Sequence, residues 1–173
     1  MRQSGPGFIL IFVLLVIAQM VICNFLNLTP FIMLSILPVM ILCLPLRVGQ
    51  VASMLIAFAT GMAVDFFAEG LPGINAASLV PVAFIRLWVI RLVFGNELFA
   101  RGEDFTTGRS GLGKVVVATL ILQGLFLAIY IAIDGAGVRP FWFNALRWIA
   151  SLLAGTFVSI FVADLLAGDG RKK

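Results

Sequence analysis

The chain has 173 residues, 62% of them apolar and only 12% charged, with a mean hydropathy of +1.15; a soluble globular domain is roughly half apolar and a quarter charged. That balance excludes a water-solvated surface, and the apolar residues fall in runs of membrane-spanning length, so one all-α polytopic bundle over residues 1–173 is expected, with about six transmembrane helices. The chain carries no histidine, which removes the commonest general base and metal ligand, and the Lys and Arg behind its net charge of +4 sit at the ends of the runs, where they set topology instead of meeting nucleic acid.

The first run, Phe8 to about Phe25, follows Arg2 as a signal sequence would, but it is too long for a signal core and no small-x-small cleavage site follows it. A retained anchor helix is expected. The second, Phe31 to Leu46, is entered by Thr29-Pro30, interrupted by Pro38 and closed by Pro45. It reads as a kinked or tilted span, with a re-entrant segment as the alternative. The third, Val51 to Phe67, ends at the polar punctuation of Asp65 and Glu69, and the fourth, Ile74 to Phe94, contains Pro81, Arg86 and Arg91. Gly95 to Gly113 is the one long polar stretch and reads as a cytoplasmic loop, with a helical turn around Glu97 to Arg101. The fifth run, Lys114 to Ile133, is followed by the turn Asp134-Gly135-Ala136-Gly137. The sixth, Phe141 to Leu166, opens with Trp142 and Trp148 as interface anchors and gives way to the basic tail Arg171-Lys172-Lys173.

With six spans and the amino terminus inside, the cytoplasmic side receives Arg2, Arg47, Arg91, Arg101, Arg109, Lys114 and the basic tail, and the opposite side receives Arg139, with Arg147 just inside the last span. Both termini are therefore expected in the cytoplasm of a bacterial-type inner membrane. Cys23 and Cys43 lie in apolar runs near opposite faces and are not expected to bridge. Gly108 to Lys114 imitates a phosphate-binding loop, but Val115 supplies no hydroxyl for magnesium and no strand precedes the loop. Asn27-Leu28-Thr29 fits a glycosylation sequon yet reads as a tight turn before Pro30.

Charges inside the spans need a partner or a route to the headgroups, since each costs roughly 2.5–3.5 kcal/mol at the helix centre. Depth along the spans suggests Arg86 with Asp164 and Asp65 with Arg147, against snorkelling of each alone. Ser151, Gly155, Ser159 and Ala163 recur every fourth residue, as do Ala57 and Gly61; such stripes admit a close helix, within the bundle in preference to a partner. The most informative stretch is Gly61 to Ala76. Gly61 permits close packing one turn before Asp65, Gly70, Pro72 and Gly73 form a tight turn, and Asn75 can cap the next helix.

This G-x-x-x-D, then G-x-x-G-x-N corner, placed between the third and fourth spans of a short basic-ended chain, resembles the MreD family of rod-shape-determining membrane proteins. The resemblance extends over essentially the whole chain in length, span number and motif position. It assigns Gly61, Asp65, Gly73 and Asn75 to the family's corner. It implies a six-helix fold similar to the substrate-binding components of energy-coupling-factor vitamin transporters. The implied role is that of a non-enzymatic subunit of the cell-elongation machinery, beside MreC, the MreB filament, and a SEDS glycosyltransferase with its class B penicillin-binding protein.

Two competing classes are weaker. A vitamin-uptake subunit needs polar groups converging between helices, whereas residues such as Gln19, Ser35, Ser53, Thr119, Gln123 and Thr156 show no convergence along the sequence. For an enzyme, Asp65, Glu69 and Asp164 lack a histidine or cysteine companion. No cofactor or metal is expected, and lipids are the expected surroundings.

Overall fold

The structure is a computed structural model and describes residues 6–25, 32–69, 73–95, 112–135 and 139–167. The Asn27 sequon, the turn residues Gly70 to Pro72, nearly all of the polar loop with its phosphate-loop imitation, Ala136 to Val138 and the basic tail lie outside these residues.

Among the described residues, five helices are long and apolar enough to cross a membrane: α1 (Pro6–Phe25), α3 (Gln50–Val64, extended by a wider π-type turn over Asp65–Glu69), α4 (Ile74–Phe94), α5 (Leu112–Asp134) and α6 (Phe141–Ala167). The protein is a multi-pass helical membrane protein. The run expected as a second span behaves differently: only α2 (Leu37–Leu42) is helical, six residues or about 9 Å, against a hydrocarbon core of roughly 30 Å. The physical reason lies in its prolines. Pro38 sits in the first turn, where a missing N–H is harmless, while Pro45 prevents the helix from continuing past Cys43.

Neighbours in sequence are neighbours in space, with α3 packed on α4, α4 on α5 and α5 on α6, and α1 closes the ring against α6 and the α3 end that carries the π-type turn. Inside that ring lies α2, in contact with all five long helices. Residues 35–45 are buried without a break, and Leu37, Val39, Met40, Ile41, Leu42 and Cys43 are fully enclosed in the core. Outward faces are apolar instead of polar, as lipid requires: Val13, Leu55, Trp88, Leu92, Trp142, Leu153 and Phe157 are each at least half exposed. Trp142, at the start of α6, faces outward. Trp148 does not, because its indole N–H donates to the Gly124 carbonyl at 3.0 Å and its ring packs on α5.

Candidate functional site

The corner between α3 and α4 is built around a buried carboxylate. Asp65 continues the helical backbone of α3 at the start of the π-type turn, and its side chain reaches the first turn of α4. One oxygen accepts from the backbone N–H of Gly73 at 3.0 Å and Ala76 at 3.1 Å; the other accepts from the backbone N–H and the side-chain amide of Asn75, both at 2.9 Å. These backbone groups are among the donors that a helix start leaves unbonded, and the helix dipole favours a negative charge there. Asp65 is therefore the cap of α4, supplied from the preceding helix. Asn75, expected to cap this helix itself, instead points its amide at Asp65.

The glycines serve the same joint. Gly73 has a φ of +106°, a conformation open to glycine at little steric cost. At Gly61 a Cβ would stand 2.5 Å from the Ala76 Cα and 2.6 Å from its backbone nitrogen, so α3 and α4 touch backbone to backbone. All four residues of the sequence motif, Gly61, Asp65, Gly73 and Asn75, meet in one joint.

A second polar scaffold holds the enclosed segment around α2. Non-helical backbone at this depth has no bulk water to bond, so its groups need partners held inside the protein. Gln19 of α1 supplies two, accepting from the Ile36 N–H at 2.8 Å and donating to the Leu34 carbonyl at 3.2 Å. Ser151 of α6 accepts from the Met33 N–H at 2.8 Å, and Gln123 of α5 donates to the Ser35 carbonyl at 3.0 Å. At the other end, the fully buried guanidinium of Arg86 donates to the Leu42 carbonyl at 3.3 Å, to the Leu44 and Pro45 carbonyls and to the Ser53 hydroxyl. Its positive charge sits where the α2 dipole ends. Several polar side chains far apart in sequence thus converge on residues 33–45, and the positions that sequence reasoning missed as a set are Gln19, Ser53, Arg86, Gln123 and Ser151. Glutamines in the middle of apolar runs were the available signal, since each amide there needs a partner.

Neither expected charge pair forms. Arg86 goes to backbone carbonyls while Asp164 lies on the exposed side of α6, and Asp65 is occupied by α4. Arg147 pairs with Asp134 at the end of α5, which also receives Arg139 at 3.4 Å. The span-end acid Asp134 was passed over because it reads as part of a turn. The small-residue stripe of Ser151, Gly155, Ser159 and Ala163 is buried within the bundle, as are Ala57 and Gly61. At Gly155 a Cβ would lie 2.6 Å from the Gln123 amide nitrogen, so this stripe seats that side chain. It packs internally and is not a lipid-facing groove.

Comparison with family models, with curated proteins and with solved structures finds no significant match to the chain.

Proposed function

We propose that this protein is a non-enzymatic, MreD-like subunit of a bacterial cell-elongation complex, seated in the inner membrane with both termini cytoplasmic, which supports rod shape and lateral peptidoglycan synthesis by binding partners. The observation that carries the reading is the joint itself. Gly61, Asp65, Gly73 and Asn75 carry the family resemblance, and they make direct contacts with one another or with the first turn of α4.

Partner binding uses the outer faces of the helices, because the small-residue stripes are enclosed. The aromatic pair Phe66 and Phe67, next to Asp65 in the π-type turn, is 73% and 70% exposed with its rings edge to face at 5.4 Å. A rigid joint that presents two aromatic rings outward suits a neighbouring transmembrane helix such as that of MreC. MreB and the SEDS glycosyltransferase with its class B penicillin-binding protein would then be reached through the same assembly.

The test is affinity purification of the tagged protein from gently solubilised membranes of its native host, with mass spectrometry of what co-purifies. Recovery of MreC or a wall-synthase subunit supports the reading, and its reduction by the Phe66→Ala/Phe67→Ala variant assigns the contact. Recovery of an energy-coupling ATPase pair with its membrane coupling protein overturns it in favour of a vitamin-type transporter subunit.

A further inference from the structure

Among the described residues, six buried side-chain atoms find no hydrogen-bond partner within the protein, and four of them belong to one seam: Thr119 Oγ1 and Gln123 Oε1 on α5, Thr156 Oγ1 and Ser159 Oγ on α6. All four residues are more than nine-tenths buried. Their placement follows from helix geometry. A short connection joins α5 to α6, so the two helices run antiparallel, and Gln123 rests on Gly155. One turn back on α5 is Thr119; one turn forward on α6 is Ser159, so these two also face each other. Thr156 lies three residues before Ser159 on the same helix. Gln123 is eleven residues from either end of α5, which puts the seam near the middle of the bilayer.

The chemistry of the four atoms selects the occupant. The Gln123 amide nitrogen is engaged with the Ser35 carbonyl, and its oxygen remains a buried acceptor in need of a donor. Three hydroxyls complete the set, each able to donate or accept. An anion would meet the amide oxygen unfavourably, and a cation would have no facing carboxylate, since Asp164 lies on the exposed side of α6 and Asp65 is committed to α4. A small neutral molecule that both donates and accepts satisfies all of them. We propose that the α5–α6 seam is an internal hydration site, where water held near the bilayer midplane bridges Gln123, Thr119, Thr156 and Ser159.

The experiment is X-ray radiolytic labelling of the intact protein in detergent micelles, in water carrying heavy oxygen, read by mass spectrometry. Leu122, Phe126 and Val162 flank the seam and are buried; Leu79 and Val82 on α4 are equally buried and serve as reference. Labelling of the seam residues well above the reference supports the proposal, and labelling no higher than the reference overturns it. Thermal unfolding adds an independent reading. With water bound, Thr119→Val and Ser159→Ala each lower Tm by roughly 2–4 °C; a rise in Tm in both identifies a dry seam and overturns the proposal. A Tm that moves when sodium is exchanged for choline overturns it in favour of a cation.

Discussion

The Asp65 carboxylate holds Asn75 twice, through its backbone N–H and through its side-chain amide, both at 2.9 Å. One oxygen thus fixes where α4 begins and which way its first turn faces. Asp65→Ala leaves three backbone donors and one amide without their acceptor in a buried corner, and is expected to destabilise the protein by about 3 kcal/mol or more. Asn75→Ala removes one of the four bonds and is expected to cost only about 1–2 kcal/mol. Thermal unfolding of the purified variants checks the order; equal losses would show that the backbone donors bond elsewhere once Asp65 is gone.

At Gly61 the smallest possible enlargement is the informative one. The added methyl of Gly61→Ala meets Ala76 backbone at 2.5 Å, which cannot swing aside as a side chain would. We expect a loss near 3 kcal/mol, the upper part of the over-packing range. At Gly155 the same substitution meets the movable Gln123 amide instead, so Gly155→Ala should be milder in itself but should release the Ser35 carbonyl. Hydrogen exchange at residues 33–37 reports that release, and unchanged protection there would refute the coupling.

Arg86 makes a prediction of kind as well as size. Arg86→Met strips donors from the Leu42, Leu44 and Pro45 carbonyls and is expected to cost about 3 kcal/mol or more. Arg86→Lys keeps the charge but replaces a planar fork with a single ammonium group, so partial recovery is expected. Recovery as complete as the wild type would mean that charge at the end of α2 matters and the bonding geometry does not.

The two arginines on Asp134 should differ. Arg147 has a side chain only 12% exposed, whereas that of Arg139 is 35% exposed and lies over the Phe143 ring at 5.5 Å. Arg139→Gln is expected to shift stability by about 0–1 kcal/mol, as an exposed pair does, and Arg147→Gln by more. Exchanging the charges in Asp134→Arg/Arg147→Asp should restore part of the loss seen in either single variant, measured by Tm; no restoration would show that the two act separately.

Most of the span pattern was legible because hydropathy and length are local properties, and the α3–α4 joint was legible because its residues lie within sixteen positions of one another. What escaped were bonds between distant residues. Nothing local marks Gln19, Arg86, Gln123 and Ser151 as partners of residues 33–45, since a carbonyl acceptor leaves no trace in the sequence. Pairing Arg86 with Asp164 assumed that a buried cation seeks an acid, whereas a helix ending in the core offers it several carbonyls. Pro38 and Pro45 did announce that the second run would not be an ordinary helix, and only Leu37–Leu42 of it is helical.

The enclosed segment also bears on how the molecule is made. A long apolar helix satisfies its own backbone and can enter a bilayer alone, but residues 32–36 lie outside any helix and several of their backbone groups are bonded by side chains from α1, α5 and α6. Two of those donors and acceptors are synthesised more than eighty residues later. The segment therefore reaches its final state only after the last helix has been inserted, which makes its enclosure the closing step of assembly and ties it to the integrity of the carboxyl-terminal helix.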